Sequence, residues 1–297
     1  MKKKIILWAV FAAIVVFMIV APHQNIRIVD ITNLYAGPSA EHWFGTDNLG
    51  RDLYSLMITG GLRSLAVVGL ATLISFTLGT LLGMVSAYVG GVVHTIIQFV
   101  SDFTMIIPSF IVALILSAMF GFSPAMAGLL FGVGNMGQYV NMAEGLTNSM
   151  KERDFISAEI SLGLSAPRIL FLHIFPNIMK QMFVYMGNNA SSVTLQYAGL
   201  AFIGLGTDVT NPDWGTLLYS YRMYMLTYPR LVIIPIAAVC LLALFFHFAF
   251  DDGSARKEEL TIYDRLYPSR RRPLRVGRER EKEDPDSPRC IVRDPRG

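Results

Sequence analysis

Histidine, cysteine and methionine are the side chains of this sequence that favour soft and borderline metals. The histidines and cysteines stand far apart, at His23, His42, His94, His173, His247, Cys240 and Cys290. These separations match neither a zinc site nor a disulfide framework. The 15 methionines suit soft metals, but methionine is also a flexible filler of packed helices, and we favour that interpretation. We therefore expect neither a metal site nor a cofactor.

Motifs for enzymatic chemistry point the same way. The sequence contains no Gly-x-x-x-x-Gly-Lys-Ser/Thr phosphate loop, no His-Glu-x-x-His and no Gly-x-Ser-x-Gly. Gly204 and Gly206 match part of a dinucleotide-binding fingerprint, but no strand is predicted before them and no third glycine follows at the required spacing. We expect no catalytic residue and no ATP site, so the chain is predicted not to be an enzyme.

One polar stretch stands between long apolar runs. Residues 150–177 read MKERDFISAEISLGLSAPRILFLHIFPN, with charged and hydrogen-bonding side chains at short intervals. The runs on either side are apolar enough to cross a bilayer, so this stretch is expected to lie outside it. An organised polar segment in such a place is typical of a surface that binds a partner.

The stretch is predicted to form a helix, a break and a second helix. Asp154 is expected to cap the first helix, and Gly163 to end it, because glycine tolerates a left-handed backbone. Ser165 is expected to cap the second helix, with Pro167 in its first turn, where a missing amide hydrogen costs little. Pro176 is then expected to interrupt or kink that helix.

Composition predicts a polytopic membrane protein of the all-α class. The chain is 53% hydrophobic and 16% charged, against about 25% charged for an ordinary soluble domain. The formal net charge is +3, and the basic residues are concentrated after Asp251. Binding of nucleic acid does not follow from so small and so local an excess.

Apolar runs predict six membrane-spanning helices. Their expected ranges are 5–21, 65–89, 103–120, 125–142, 182–203 and 231–250. The organisation is then a first span at 1–22, an extracytoplasmic segment with an amphipathic helix at 23–62, a five-helix core at 63–250 and a basic, disordered tail at 251–297. A cleaved signal peptide is the alternative for the first run, and we favour an uncleaved span because more spans follow.

Basic residues set the expected orientation. The lysines at positions 2–4 should hold the N-terminus inside, and six spans then place both termini and the polar stretch in the cytoplasm. Lys151, Arg153, Arg168 and Lys180 in and beside the polar stretch agree with the tendency of cytoplasmic loops to be basic.

Amide side chains interrupt the apolar runs of the fourth and fifth predicted spans. They are Asn135, Gln138, Asn141, Asn188, Asn189 and Gln196. These side chains either line an aqueous translocation path or form hydrogen bonds between helices, each worth about 1 kcal/mol or less in lipid. The sequence leaves both interpretations open.

The polar stretch resembles a known family. The order Asp154-Phe155-x-x-Ala158, Gly163, Arg168-Ile169, His173-Ile174-x-Pro176-Asn177 is similar to the cytoplasmic EAA loop, or coupling-helix loop, of ATP-binding-cassette importer permeases of the peptide/nickel subfamily. Two further phrases resemble the same subfamily. They are a first landmark at residues 42–52 and a second landmark at residues 202–215. The resemblance ends near residue 260.

The resemblance implies a fold, a set of partners and a location. The fold is that of a type I importer. The partners are a second homologous permease, two cytoplasmic ATPase subunits, an extracytoplasmic substrate-binding protein and the lipid bilayer of the cell inner membrane, with no nucleic acid.

The resemblance also implies residues that couple to the ATPase: Arg153, Asp154, Phe155, Ile156, Ala158, Ile160, Gly163, Arg168, His173 and Pro176. Phe155, Ile156 and Ile160 are expected to form the apolar anchor, and Arg153 and Arg168 the polar contacts. The alternative for each of these residues is that it stabilises only the fold of the loop.

The sequence departs from the subfamily pattern at three places. Glu144 and Asn141 stand where arginines are common, and Gln98-Phe99 stands where an arginine usually is.

Substrate and function class remain a choice among alternatives. Di- and oligopeptides are preferred over nickel or a metal chelate on breadth of use alone. A passive channel or scaffold without ATP coupling is the alternative of a different class, and it does not require the coupling-helix loop.

Overall fold

A computed structural model describes residues 2–120, 123–204 and 208–250 of the chain. Within these ranges the regular structure is helical, apart from one isolated antiparallel bridge between Thr46 and Asp52. The expected disordered tail at 251–297 and the second landmark's Leu205 and Gly206 lie outside the described residues. The all-α class is confirmed.

The helices of the described residues follow the apolar runs with several changes of boundary. They are α1 (Lys2–Val20), α2 (Leu53–Val89), α3 (Gly91–Ile106), α4 (Ser109–Phe120), α5 (Pro124–Gly134), α6 (Met136–Lys151), α7 (Asp154–Ser161), α8 (Ala166–Phe202), α9 (Trp214–Tyr221) and α10 (Arg230–Phe250).

Helix α2 is one continuous helix of 37 residues. Its N-cap is Asp52, whose carboxylate accepts from the backbone N–H of Ser55 at 2.8 Å. The expected amphipathic helix and the second predicted span are thus parts of one helix, while the residue at which the span begins stays a prediction. Gly60 and Gly61 lie inside α2 without breaking it. They allow other parts of the chain to approach α2 closely, since a Cβ on Gly61 would lie 2.6 Å from the Trp214 ring.

Two predicted spans are each divided into two helices. The third is divided at Ile107–Pro108, where the axes of α3 and α4 bend by 78°, and it begins at Gly91 rather than near Phe103. Proline lacks the amide hydrogen that would continue α3. The fourth is divided at Asn135, between α5 and α6.

By length and composition, three of the described helices could each cross a bilayer: α2, α8 and α10. The bent pair α3–α4 makes a fourth. The apolar part of α1, Ile5–Val20, is shorter, and α5 has 11 residues. Several apolar helices thus make this a multi-pass membrane protein, while the count of six spans stays a prediction.

Helix α8 contains a π-helical segment at Ile169–Ile174. The backbone N–H of Phe175 donates to the carbonyl of Leu170, five residues earlier. Pro176 follows directly and lacks an amide hydrogen, so it changes the winding of α8 without ending it. The predicted interruption at Pro176 is thus a local change of helix type.

Small residues allow α2 and α6 to pack closely. A Cβ on Gly79 would lie 2.4 Å from the Tyr139 Cβ, and one on Gly83 would lie 2.3 Å from the carbonyl oxygen of Val140. Glycines at these two positions thus admit the neighbouring helix, as small residues do in lipid. A buried apolar cluster beside this contact includes Met84, Tyr139 and Met182, and it continues beneath α7.

The segment between α1 and α2 is held by buried charges. The Asp47 carboxylate, fully buried, lies 2.8 Å from the Arg51 guanidinium and accepts from the Tyr221 hydroxyl at 3.0 Å. Arg51 also donates to the carbonyl oxygen of Val209 at 2.7 Å. Burial, and then the Asp47 charge, raises the pKa of the Tyr221 hydroxyl well above its ordinary value, so the hydroxyl remains a donor. The first landmark is thereby joined to the second landmark and α9.

Candidate functional site

The N-cap of helix α7 is Arg153, one residue before the predicted Asp154. Arg153 has the extended backbone of a capping residue (φ −81°, ψ 138°), while Asp154 is the first helical residue. The prediction that Asp154 caps this helix is therefore wrong. The Asp154 carboxylate lies instead in the first turn, where the helix dipole favours negative charge.

The predicted end of α7 is confirmed. Gly163 has φ +77° and donates its N–H to the carbonyl of Ile160 at 3.0 Å, while the N–H of Leu164 donates to Glu159 at 3.2 Å. These two hydrogen bonds form a Schellman motif, which favours glycine at this position. Ser165 is the next N-cap, through its backbone carbonyl and without a side-chain capping bond.

One apolar side chain seats α7 on the helix bundle. Ile156 is completely buried, in the cluster that contains Met84, Ile169 and Ile178. The expectation that Ile156 offers an apolar surface to an ATPase is thus corrected, because its side chain is covered by its own chain.

Three large apolar side chains on α7 and at its C-terminal end are exposed. Phe155 is 42% exposed, Ile160 50% and Leu162 79%. Leu162 is absent from the coupling residues predicted above, although its spacing of seven residues from Phe155 puts both on one face of a helix.

Glu159 joins α7 to the π-helical segment of α8. Its carboxylate Oε1 lies 2.9 Å from Nδ1 of His173. Asn177 donates to the carbonyl oxygen of His173, one turn further along α8. His173 therefore contacts the loop's own helix, and Glu159 is a functional candidate that the sequence alone did not identify.

The remaining predicted coupling residues face outward. Ala158, Arg168 and Pro176 are exposed, as is Arg153. Arg153 and Phe155 line a hollow of about 180 Å³ between α6, α7 and α8. A surface with exposed apolar and cationic side chains around one hollow can receive a complementary protein.

The predicted amides divide into two groups. Asn135, Gln138 and Gln196 come together in a cavity of about 280 Å³ at the breaks between α3 and α4 and between α5 and α6. The side-chain oxygen of Gln196 accepts from Ser109 at 3.2 Å, and that of Gln138 accepts from the Tyr185 hydroxyl at 2.9 Å.

The other amides bind neighbouring helices. Asn141 accepts from Ser101 of α3 at 3.2 Å, and the Asn188 oxygen lies 2.9 Å from Nδ1 of His247 on α10. Asn189 is buried, and its amide nitrogen lies 3.5 Å from the Gln138 oxygen. For these three the geometry is that of hydrogen bonds between helices, and they do not line the cavity.

Within residues 2–120, 123–204 and 208–250, no cluster of three or more histidine, cysteine, aspartate or glutamate side chains could hold a metal ion. The cavity lining combines amides, hydroxyls and apolar groups. Such groups can form hydrogen bonds with a polar, uncharged solute.

Comparison with known proteins identifies the family. The family model for the "Binding-protein-dependent transport system inner membrane component" matches residues 79–254, which is more than half of the chain. This match includes α3 to α10 and hence both the cavity and the coupling-helix loop.

Two curated relatives match over most of their length. The "Dipeptide transport system permease protein DppC" of Alkalihalophilus pseudofirmus is 30% identical over 81% of this chain and 79% of its own. The "Glutathione transport system permease protein GsiD" of Shigella dysenteriae serotype 1 is 30% identical over 78% of this chain and 77% of its own.

A solved structure entitled "Crystal structure of an amino acid ABC transporter with histidines" matches 72% of this chain and 94% of its own, with 18% identity and a TM-score of 0.46. The curated relatives are permease subunits and not enzymes. With a family model over more than half of its length and permeases as relatives, the chain belongs to the family of binding-protein-dependent transport system inner membrane components.

Proposed function

We propose that this chain forms half of the translocation path of an ATP-driven importer for di- and oligopeptides and is driven through its coupling-helix loop. The observation that carries the proposal is the construction of α7. One face is seated on the bundle by Ile156, and the other exposes Phe155 and Ile160. A helix with a fixed side and an apolar free side can transmit force from a partner to the spans behind it.

The partners follow from the family and from this surface. An importer of this family works with ATPase and substrate-binding subunits, and we assign two ATPases, a second homologous permease and one binding protein to the complex. Phe155, Ile160 and Leu162 would occupy an apolar groove of the ATPase, with Arg153 and Arg168 at its polar margin. This arrangement is the helix-in-groove mode of recognition.

Coupling then proceeds as a shift between two conformations. ATP closes the two ATPases, and α7 moves with the groove that holds it. Ile156 and the Glu159–His173 contact make α7 and the start of α8 move together. The attached spans tilt, and the cavity changes the side to which it opens.

The orientation belongs to the same proposal. Both termini and α7 lie in the cytoplasm, and the segment between α1 and α2 lies outside. A cysteine placed at the exposed Ala158 should react with a membrane-impermeant maleimide only after the membrane is opened. A cysteine at the exposed Ile28 should react in intact cells, and the reverse pattern contradicts the orientation.

The cavity supports a peptide as the substrate. Asn135, Gln138 and Gln196 offer amide groups, which pair with peptide bonds through both donors and acceptors. The relatives are named for dipeptide and glutathione transport. Nickel or a metal chelate is the second candidate, carried by the subfamily resemblance.

Uptake by the reconstituted complex tests the proposal. Vesicles that contain the permeases and ATPases, supplied with binding protein and internal ATP, should accumulate labelled dialanine. Parallel vesicles receive labelled glutathione or ⁶³Ni²⁺. Accumulation that persists without the ATPases would identify a passive channel, and accumulation of nickel alone would replace peptide by metal as the substrate.

A further inference from the structure

Glu144 of α6 has an environment that explains its sign. Its Oε2 accepts from the Ser86 hydroxyl of α2 at 2.8 Å and from the Gln98 amide of α3. Its Oε1 lies 3.2 Å from Nδ1 of His94, also on α3. The Glu144 side chain is 12% exposed, and its three partners can each donate a hydrogen bond, so a carboxylate that only accepts fits this position.

The same faces of α3 and α6 remain in polar contact beyond Glu144. The Ser101 hydroxyl donates to the carbonyl of Gly137 at 3.0 Å and to the Asn141 oxygen at 3.2 Å. The Asn141 amide donates to the Met105 sulfur at 3.2 Å. Residues of α3 at helical spacing thus meet residues of α6 at helical spacing, in what we call the α3–α6 polar row.

Apolar burial contributes little to the position of α3. Ser101 is the one residue of α3 that is buried. The helix begins after a turn in which Gly90 and Gly91 have φ of +68° and +56°, and a Cβ on either would meet open space. Since neither a turn packed against the bundle nor a buried apolar face orients α3 within this chain, the polar row is the contact that places α3 against α6.

The end of α3 forms a wall of the cavity that contains Asn135, Gln138 and Gln196. Thr104 and Met105 of α3 line this cavity together with Asn135, which lies directly before α6, and Gln138 of α6. The polar row therefore sets the register between two walls of the cavity. Hydrogen bonds to a carboxylate are stronger than those between neutral groups, so Glu144 is the member expected to contribute most.

We infer that Glu144 is a positioning residue for the substrate cavity, acting through His94 and Gln98 to hold α3 against α6. The inference rests on the proposed role of the cavity as the translocation path. Glu144 does not line the cavity. Its effect on substrate is therefore exerted through the placement of α3.

Substitution of Glu144 in the complete transporter separates positioning from a general structural role. Glu144→Leu should raise the KM for dialanine delivered by its binding protein at least about fivefold, with a smaller change in maximal rate. Glu144→Gln keeps a side-chain oxygen acceptor and should restore KM to within about twofold. Thr95→Val is the matched control, because the Thr95 hydroxyl bonds only within α3, and its KM should equal that of the parent.

A distance measurement tests the contact without transport. Nitroxide labels on cysteines at Val92 and Gly145, both exposed, should give a narrow distribution in the parent and a broader or longer one in Glu144→Leu. If Glu144→Leu does not assemble, the double variant His94→Leu/Gln98→Leu should give the same two changes. An unchanged distribution, or an unchanged KM together with a changed distribution, overturns the inference.

The two proposals fail in different ways. A parent complex that accumulates no peptide contradicts the proposed function, whereas the label distances still report on the contact of Glu144 with α3. A parent complex that transports, beside a Glu144→Leu variant with parental KM, contradicts the positioning role alone.

Discussion

The segment between α1 and α2 and the coupling-helix loop are both polar, and they differ in how their polar groups are satisfied. In the former, Asp47 and Arg51 are buried and bonded to each other, with further bonds to Tyr221 and Val209. In the coupling-helix loop, Arg153 and Arg168 are exposed, and apolar side chains lie beside them. A network completed within the chain maintains the fold, whereas a surface left open is suited to a partner.

This contrast explains the two landmarks. Their residues carry charges and aromatic groups that would fit a binding site, yet these residues bind one another and the N-terminal part of α2. The Arg63 guanidinium donates to the carbonyl oxygen of Asn211, and the Trp214 indole donates to the carbonyl of Met57 at 2.9 Å. Polar residues in a recognisable motif can therefore serve packing alone.

The largest expected effect is a loss of stability when the buried Asp47–Arg51 pair is broken. Arg51→Ala leaves the Asp47 charge buried without its cation, which costs about 3–5 kcal/mol of folding free energy. The melting temperature of the purified permease should fall by several degrees. Arg27→Ala is the control, since Arg27 is exposed and makes one side-chain bond of 3.3 Å to Asn211, and it should change the melting temperature little. Equal melting temperatures for the two variants would contradict the role of the pair.

The next effect concerns the backbone of the coupling-helix loop. Gly163→Val forces a β-branched residue into the left-handed region, at a cost of about 1–2 kcal/mol, although its Cβ would meet open space. We expect normal membrane insertion and loss of ATP-driven uptake. Gly163→Asn should retain part of the uptake, because asparagine tolerates this conformation.

Gly145→Ala is the control for added volume, because a Cβ there also meets open space and the residue is helical. Uptake by this variant should be unchanged. Normal transport by Gly163→Val would show that the bend at the end of α7 is not needed for coupling.

A smaller effect is expected from the contact between α7 and α8. Glu159→Gln or His173→Gln disrupts the partly exposed contact between these two side chains, and a polar contact of this kind contributes about 0.2–1 kcal/mol to stability. The number of peptides transported per ATP should fall severalfold while the ATPase stays bound. In a double-mutant cycle, the double variant should be no worse than either single variant. Additive losses would mean that the two residues act separately.

The smallest effect is expected from one exposed charge. Arg153→Glu reverses a charge beside the apolar surface of α7 and should reduce recovery of the ATPase with the purified permease by a few fold, with salt reducing the difference between variant and parent. Arg27→Glu makes the same change in the segment between α1 and α2 and should leave recovery unchanged. Equal recovery in both variants would remove Arg153 from the ATPase interface.

Local chemistry determined what the sequence could predict. The all-α class follows from long apolar runs, the end of α7 from the αL preference of glycine at Gly163, and the family from residues at fixed spacing in one loop. Each of these signals depends on neighbours within a few residues. The capping error at Asp154 is also local, since a residue that can cap is only one position from the residue that does.

Tertiary structure decided which side of each element faces its own chain. The sequence did not distinguish the buried Ile156 from the exposed Phe155, and it did not pair Glu159 with His173 or Glu144 with His94 and Gln98. It also could not place Arg51 against Val209, which lies 158 residues later. Such contacts depend on how separate helices pack, and the periodicity of one helix contains no information about which partner will cover it.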